Sequence, residues 1–313
     1  MDTPLVSILI PSYNATQYIE ETINRALSQT YSNIELVIVD DHSTDNSLEI
    51  AKKFSSEKVH IYTNPKKGGN SARNYAFEMC KGEYIKFMDA DDYCSYDMIE
   101  KQMERILKDG DKDTLIFSPV KMLYPDGRLF LPPRDIDKDY IPGIELLIDI
   151  WRGKGWNCPH CHLIHRDLFI KSGGWNENII KNQDGEFFAR VAAKASKSLF
   201  VNDVFAIWKQ TGTGVSSQIS LKAQESMLQT YDIISHLILN YKDNEENRYK
   251  CARYIGGFVY RFYPQIEPII PKVYEILDYL NQPLILPKRR FLKLLRCLFG
   301  WKIALRLIHK YNL

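Results

Sequence analysis

Long apolar runs are missing from this sequence, and so is any strong net charge. No segment approaches the roughly 18 consecutive apolar residues that a membrane-spanning helix requires, and the formal charge of the 313 residues is only +2. Without a global field to recruit nucleic acid, we expect no nucleic-acid partner. The six cysteines are scattered, and the first residues enter a β-prone segment without a basic region or a cleavage site. We therefore expect a reducing, cytoplasmic compartment.

An acidic loop follows an apolar segment in the first third of the chain. Residues 84–88 have the composition of a covered strand, and Asp89, Asp91 and Asp92 come directly after it. Three carboxylates this close repel one another unless a positive group lies between them. Mn²⁺ or Mg²⁺ fits, because these ions take oxygen ligands and commonly bind carboxylates together with substrate phosphates. The alternative is that the aspartates cap the helix that begins near Ser95.

Strands and helices alternate through the first part of the chain. Four β-prone segments, each followed by a polar cluster and a helical pattern, lie at residues 6–10, 34–39, 59–63 and 84–88. This alternation predicts an α/β fold with a doubly wound, mostly parallel sheet flanked by helices. Ligands of such sheets bind beyond the carboxyl ends of the strands, so each polar cluster falls where a site is expected.

The later part of the chain changes character twice. Five prolines between residues 119 and 143 predict a long, irregular insertion that covers one face of the sheet. From residue 221 onward, apolar residues recur at helical spacing, which predicts a C-terminal helical extension. Between these two regions we expect helices at 144–151 and 184–195, and strands at 162–164 and 199–208.

The length suits one large domain with an appendage, or two domains. We place the boundary near residue 215. The predicted domains are 1–215, with a nucleotide-binding half 1–118 and an acceptor half 119–215, and a helical region 216–313.

Asp40 is the first candidate for nucleotide binding, because it ends the second predicted strand. A carboxylate only accepts hydrogen bonds, so Asp40 can take the imide N–H of uracil or the equivalent N–H of guanine or thymine, whereas cytosine offers a ring acceptor there. The alternative is that Asp40 or Asp41 only stabilises its turn. Further along, Gly68 and Gly69 open a helix with Arg73 one turn in, an arrangement that suits anions.

Asp184 and Glu186 lie at the start of a predicted helix, where a carboxylate can serve as a general base. The structural alternative is a helix cap with a Glu186–Arg190 pair at i, i+4 spacing. Cys158 and Cys161 have CxxC spacing with histidines nearby. A structural zinc site normally needs a second ligand pair, however, and the sequence offers none.

The tail, residues 288–313, carries eight Lys or Arg and no acidic residue. A helical wheel places basic residues opposite Phe291, Leu295 and Leu298, and a second basic amphipathic segment follows Gly300. Such segments suit an anionic membrane surface, which is therefore an expected partner, with peripheral attachment to the inner face of the membrane. The alternative is a helix that packs on the domain with a solvated basic face.

Taken in order, these motifs closely resemble those of the family 2 glycosyltransferases of GT-A fold. The resemblance covers roughly residues 5 to 217. It implies an inverting, metal-dependent enzyme that moves a sugar from a nucleotide-sugar donor, expected to be a UDP-sugar, to a hydroxyl of a glycan or lipid-linked acceptor. The implied cofactor is Mn²⁺ or Mg²⁺. The segments that carry the resemblance are VSILIPSYN, VIVDDHSTD, GGNSARN, GEYIKFMDADD, GGWNE, QDGEFFAR and WKQTGTGVSS.

The resemblance assigns roles by position. Asp184 matches the catalytic base, and Asp89 and Asp91 match the metal-binding pair, with Asp91 the principal ligand. Two departures from the family pattern are Gln183, where a Glu is usual, and the loop after Trp208, which lacks a metal-binding His. The expected donor-binding residues are Pro11, Tyr13, Asn14, Asp40, Asp41, Gly69, Arg73, Asp89, Ala90, Asp91, Lys209 and Thr213. The expected acceptor-binding residues are Trp175, Asn176 and Glu186, with core packing as the alternative for Trp175.

Two other functions fit parts of the pattern. A nucleotidyltransferase would want a glycine- and arginine-rich loop after the first strand, where this chain has residues 11–14, PSYN. A non-catalytic nucleotide-sugar binding protein would tolerate the loss of Asp184 or Asp91, and both are present. We therefore expect a sugar transferase.

Overall fold

The computed structural model describes residues 3–211 and 219–311, and the predicted donor residue Thr213 lies outside them. The described chain forms two compact units. The first contains residues 3–178 and 183–211, and the second contains residues 179–182 and 219–311.

Two sheets make up the first unit. The strands are β1 (Val6–Ser12), β2 (Ile34–Asp40), β3 (Val59–Thr63), β4 (Tyr84–Phe87), β5 (Tyr93–Cys94), β6 (Thr114–Phe117), β7 (Val120–Leu123), β8 (Leu129–Phe130), β9 (His162–His165), β10 (Lys197–Phe200) and β11 (Ala206–Lys209). The main sheet has the order β10-β6-β9-β4-β1-β2-β3, and the smaller sheet has the order β5-β11-β7-β8.

The main sheet is mostly parallel, as predicted. Strands β3, β2, β1 and β4 run parallel to one another, and so do β6 and β10, whereas β9 is antiparallel to both of its neighbours. All seven residues of β2 are buried, which is what a strand covered on both faces requires of its sequence. The carboxyl ends of β1 and β2 therefore meet at one edge.

Helices connect and flank these strands. Helix α4 (Met98–Asp109) is capped by Gly110, whose φ of 74° is the left-handed conformation that glycine adopts readily at a helix terminus. The helices of the first unit are α1 (Ile19–Leu27), α2 (Ser47–Lys52), α3 (Gly69–Met79), α4 (Met98–Asp109), α5 (Ile144–Trp151), α6 (Arg166–Lys171) and α7 (Gln183–Lys194).

Two predictions about the second half of this unit were wrong. The insertion 119–143 is not wholly irregular, because it contributes β7 and β8 to the smaller sheet. The predicted strand 199–208 is two strands in different sheets, β10 and β11. Between them Asp203 has a φ of 64°, a turn conformation that interrupts the extended chain.

The second unit is helical. Its helices are α8 (Leu221–Tyr241), α9 (Glu245–Phe262), α10 (Ile270–Tyr279) and α11 (Arg290–Tyr311). Helix α11 is broken at Gly300, which has a φ of 74°. Among the described residues, none of the helices is both long enough and apolar enough to cross a membrane.

Candidate active site

Asp40 lies at the end of β2 and is 3% exposed. Its Oδ2 accepts a hydrogen bond from the backbone N–H of Ser43 at 3.0 Å. Its Oδ1 is buried without a hydrogen-bond partner among the described residues. An unpaired buried acceptor costs free energy unless a ligand satisfies it. Asp40 therefore combines the turn role with a buried acceptor oxygen that has no partner in the described part of the chain.

Asp41 has a different task. Its Oδ1 accepts hydrogen bonds from the backbone N–H of Gly68 at 2.8 Å and from Asn64 Nδ2 at 2.7 Å. These contacts fix the glycine loop before α3. A Cβ added at Gly69 would lie 3.3 Å from Arg73 Nη1, so the small residue leaves room for the guanidinium. Asp41 and Gly69 thus position the start of α3, the helix that carries Arg73.

The loop after β1 is tied to the loop after β2. Asn14 donates its backbone N–H to Ser43 Oγ at 3.0 Å, and its Oδ1 accepts from Thr44 N at 2.8 Å. Pro11 lies within β1. The ring of Tyr13 is 50% exposed. These contacts hold the predicted donor-binding residues of the two loops side by side at the strand ends.

Arg73 and Asp89 form the central ion pair of the site. Arg73 Nη2 lies 2.6 Å from Asp89 Oδ1. The guanidinium carbon of Arg73 also lies 4.7 Å from the centroid of the Trp175 ring, within cation–π range. Trp175 itself is only 2% exposed and stacks on Phe187 with a centroid separation of 4.3 Å. This burial leaves the ring almost no surface for a sugar, so it agrees with the core-packing alternative for Trp175 and not with a sugar-binding face.

Two asparagines of α3 hold the loop around residue 175. Asn74 accepts the N–H of Trp175 at 2.8 Å and donates to its carbonyl at 2.9 Å. One turn earlier, Asn70 Nδ2 donates to the carbonyl of Asn176 at 2.7 Å. The motifs GGNSARN and GGWNE are therefore structural partners. Sequence reasoning missed this role of the asparagines, although their i, i+4 spacing places both on one helix face.

The acidic loop after β4 contains carboxylates in different environments. Burial and the neighbouring charge of Asp89 raise the pKa of Asp91. Thr211 Oγ1 lies 3.4 Å from Asp91 Oδ2. The carbonyl of Ala90 accepts from Thr22 Oγ1 at 2.9 Å, which fixes the turn of the loop. A site of two carboxylates, each only partly covered, suits a cation that completes its oxygen shell with substrate phosphates.

Asp92 lies deeper than its neighbours, at 2% exposure. Burial, and then the charges of Asp91 and Asp89, raise its pKa well above the ordinary range. Its Oδ1 accepts the backbone N–H of Lys209 at 2.8 Å, and its Oδ2 lies 3.4 Å from His160 Nδ1. Burial lowers the pKa of His160 to about 4, so that imidazole is neutral at pH 7.

Lys209 reaches the acidic loop through its backbone. Its ammonium forms an ion pair with Glu21 on α1, a contact that sequence reasoning did not anticipate. The predicted donor contact through the side chain of Lys209 would require this pair to open. By contrast, Arg73 already lies against Asp89.

Asp184 and Glu186, the rival carboxylates of α7, are distinguished by their partners. Both oxygens of Glu186 are bound by Arg190, at 2.6 Å and 2.8 Å, and Glu186 is 2% exposed. Glu186 is thus a neutralised, buried structural group, which corrects its predicted role in acceptor binding. Burial and then the charge of Asp89 raise the pKa of Asp184. The raised pKa makes Asp184 a stronger base than an ordinary aspartate.

The CxxC segment does not form a zinc site in the described structure. Cys158 and Cys161 are buried with His160 and His162, and Cys158 Sγ lies 3.5 Å from His160 Nε2. Among the described residues, no group of three or more His, Cys, Asp or Glu is placed to hold a metal ion by itself. An ion at Asp89 and Asp91 would therefore need further oxygen ligands beyond these two carboxylates.

Several buried polar atoms of this region lack a partner among the described residues. Buried polar groups in proteins are nearly always paired, so such atoms are places where a bound water, an ion or a ligand can complete the hydrogen bonds. The atoms are Ser12 Oγ, Asp40 Oδ1, Arg73 Nε, Trp175 Nε1 and Gln183 Oε1.

Comparison with known proteins identifies relatives that are named as glycosyltransferases. The chain is 41% identical over 108 residues to TuaG of Bacillus subtilis, named as a teichuronic acid biosynthesis glycosyltransferase; the match covers 34% of this chain and 43% of that protein. It is 27% identical over 250 residues to the glycosyltransferase GlyG of Streptococcus pneumoniae, covering 72% of this chain and 78% of that protein. The chain thus spans less than half the length of TuaG.

A solved structure shares the fold. The crystal structure of S. aureus TarS 1-349 in complex with UDP-GlcNAc superposes with a TM-score of 0.72 at 19% identity, covering 98% of this chain and 92% of that one. The likeness confirms the expected GT-A fold. The model of the family described as "Glycosyl transferase family 2" matches residues 7–173, which is more than half of the chain. The chain therefore belongs to glycosyl transferase family 2.

Proposed function

We propose that this protein is an inverting glycosyltransferase that uses a UDP-sugar. The observation that carries the proposal is the unpaired, buried Oδ1 of Asp40 at the end of β2. An acceptor-only group at a strand end suits the imide N–H of uracil. The UDP-GlcNAc complex of the TarS structure supports the same donor class.

We propose a metal ion, Mn²⁺ or Mg²⁺, at Asp91 and Asp89. Burial and then the charge of Asp89 raise the pKa of Asp91, and a divalent cation between the two carboxylates would relieve their repulsion. When bound, such an ion would supply charge that stabilises a departing nucleoside diphosphate. On the protein side, Arg73 holds Asp89 in place from within the same crevice.

Asp184 is the proposed general base. It accepts the proton of an acceptor hydroxyl while that oxygen attacks the anomeric carbon from the face opposite the leaving diphosphate. A single displacement of this kind inverts the configuration at that carbon. Glu186 cannot share this role, because Arg190 neutralises its carboxylate. In addition, the side chains of residues two positions apart on a helix, such as Asp184 and Glu186, point about 200° away from each other.

The proposed acceptor is a hydroxyl of a glycan or of a lipid-linked glycan in surface polysaccharide assembly. The named role of TuaG in teichuronic acid biosynthesis supports this pathway class. The basic tail supports a cytoplasmic location in which the protein associates peripherally with the inner face of the membrane.

Titration calorimetry with UDP, CDP and GDP in the presence of Mn²⁺ tests the donor proposal. We expect UDP to bind best and Asp40→Ala to weaken UDP binding by roughly 5- to 150-fold, since an unsatisfied imide donor costs about 1–3 kcal/mol. The matched control is Asp45→Ala in the same loop, which should leave UDP affinity unchanged. CDP binding as tight as UDP binding would refute the proposal, as would an unaffected Asp40→Ala protein.

A further inference from the structure

The two halves of α11 are held differently. After Gly300, the ring of Trp301 lies 5.1 Å from that of Tyr263, and Arg306 Nη2 lies 2.7 Å from Glu267 Oε2. On this side Ala304, Leu305 and Ile308 are buried. The second half is therefore an anchor that packs on the second unit, as the packing alternative for the tail predicted.

The first half of α11 leaves apolar side chains exposed. Leu292 and Leu295 are buried and account for its packing on the unit. Phe291, Leu294 and Leu298, which we call the tail stripe, are 46%, 56% and 63% exposed. Their i, i+3, i+7 spacing places all three along one helix face. The predicted apolar face is corrected here, since Leu295 belongs to the packed side and Leu294 to the exposed side.

Basic residues flank the tail stripe without compensation. Arg290, Lys293 and Arg296 are exposed, and no described carboxylate lies within ion-pair distance of them. The basic residues of the anchoring half differ, because Lys302 and Arg306 both approach Glu267. Positive charge and exposed apolar surface therefore coincide on residues 290–299.

The combination of basic and exposed apolar side chains favours a lipid surface over nucleic acid as the partner. Nucleic acid would use the guanidinium and ammonium groups but would gain little from two leucines in water. A lipid interface uses both features, because the apolar stripe enters the boundary between headgroups and acyl chains while the basic groups contact phosphates. We propose that residues 290–299 dock the protein on an anionic bilayer through the tail stripe. The tail stripe is thus the surface that makes the membrane contact proposed above, and this proposal rests on that one. Docking itself does not depend on sugar transfer.

Sedimentation of the full chain with vesicles tests this surface. The probes are vesicles of phosphatidylcholine alone and of phosphatidylcholine with an equal part of phosphatidylglycerol. We expect binding to the anionic vesicles only, weakened by salt. The combined Arg290→Gln, Lys293→Gln and Arg296→Gln variant should lose roughly 100-fold in partitioning, at about 1 kcal/mol for each basic residue. The Leu294→Ser, Leu298→Ser variant should lose at least about tenfold, from the apolar area that no longer enters the bilayer.

A matched control removes equally exposed apolar groups elsewhere. Leu107 on α4 and Ile170 on α6 are 48% and 59% exposed, and the Leu107→Ser, Ile170→Ser variant should sediment like the wild type. Circular dichroism on heating should show every variant folded, since none of the changed side chains is buried.

Three results would overturn the docking surface: no binding of the wild type to anionic vesicles, equal binding to neutral vesicles, or a Leu294→Ser, Leu298→Ser variant that sediments unchanged. Analytical ultracentrifugation adds a fourth, in which the tail stripe pairs two copies of the chain and its substitution only dissolves a dimer. UDP affinity, measured on the same proteins, separates these failures from failure of the transferase proposal, because tail substitutions should leave it unaltered.

Discussion

The two units of this chain bury different kinds of side chain. The first buries charged groups beside its sheet ends, among them Asp40, Asp92 and Glu186, each 3% exposed or less. In the described part of the second unit, Lys181 is the only buried charged side chain, and the buried residues of its helices are apolar or uncharged. Burying a charge costs several kcal/mol unless a partner compensates.

This difference predicts which property of the protein a substitution in each unit should change. A chain retains costly buried carboxylates where chemistry or a fixed loop needs them. Substitutions of the candidate base and of the candidate metal ligands in the first unit should therefore change rate or ligand affinity more than stability. Changes of volume in the second unit should change stability and leave the reaction alone.

The largest effect is expected for Asp184→Asn. The substitution is nearly isosteric, so folding and UDP affinity should survive, but an amide cannot take a proton at neutral pH. Loss of general-base catalysis typically lowers the rate by about 10² to 10⁴-fold. The measurement is UDP release from the donor that the wild type turns over fastest.

The control for Asp184→Asn is Glu186→Gln, two residues along the same helix. It should disturb the Arg190 pair and stability more than the chemistry. The reverse outcome, near wild-type turnover in Asp184→Asn with loss in Glu186→Gln, would assign the base to Glu186. The rate of the wild type should fall as pH is lowered through the raised pKa of Asp184, above the ordinary range of an aspartate, because only the ionised form is a base.

The next effect belongs to the second unit, at Gly256 in α9. A Cβ at this position would lie 1.8 Å from the carbonyl oxygen of Ile285, which is backbone and cannot rotate away. Gly256→Ala should therefore lower the free energy of unfolding by about 3 kcal/mol, the upper part of the usual cost of overpacking. Chemical denaturation followed by circular dichroism measures it.

Gly257→Ala is the matched control for Gly256→Ala. A Cβ at Gly257 meets nothing within 4 Å, so the change should stabilise the helix by roughly 0.5–1 kcal/mol, as Ala normally does relative to Gly. Equal effects of the two substitutions would show that close approach of the 285 carbonyl is not what Gly256 permits.

Metal removal should weaken UDP binding by at least tenfold. A diphosphate beside Asp89, Asp91 and Asp92 is repelled unless a cation intervenes. Calorimetry in Mn²⁺ and in excess EDTA tests the prediction, and Asp91→Asn should reproduce the EDTA result. Uridine, which lacks the diphosphate, is the control and should bind equally in both. Undiminished UDP affinity in EDTA would contradict the metal site.

The main sheet could be predicted because its strands are continuous apolar segments, each read from a few neighbouring residues. The smaller sheet was missed for the opposite reason. Its strands β5 and β8 have two residues each, and Tyr93 pairs with Ile207, more than a hundred residues away. Nothing local in those short segments distinguishes a strand from a loop.

The candidate site divides in the same way. Positions at strand and helix ends, such as Asp40, Asp91 and Asp184, follow from the order of elements. The pairings do not, because Arg73 stacks on Trp175 and Asn74 binds the same residue across a hundred positions of sequence. Trp175 had two predicted roles, a face for a sugar ring and core packing, and its burial in the core of the unit favours packing.

The smallest effect is expected for Asp92→Asn, which tests whether a buried carboxylate lowers the stability of the first unit. Asp92 binds its proton more tightly in the folded than in the unfolded chain, because burial and then Asp91 and Asp89 raise its pKa. The folded protein therefore holds a proton that the unfolded chain releases, and the stability from Asp92 is lost as pH rises above the ordinary carboxyl range. Asp92→Asn keeps an oxygen for the backbone N–H of Lys209 and removes the charge.

In EDTA at pH 8, Asp92→Asn should therefore raise the free energy of unfolding, because it removes a negative charge that burial and then Asp91 and Asp89 disfavour. The advantage should shrink as pH falls toward the ordinary carboxyl range. Asp45 provides a control of opposite sign: burial opposes the shift, but hydrogen bonds from Ser47 and Thr16 lower its pKa to about 2. Asp45→Asn should destabilise the protein at neutral pH and have a diminishing effect toward pH 2. If Asp92→Asn is instead the less stable protein at pH 8, the ionised carboxylate is a stabilising group there, and the first unit does not bear the electrostatic cost inferred from its burial.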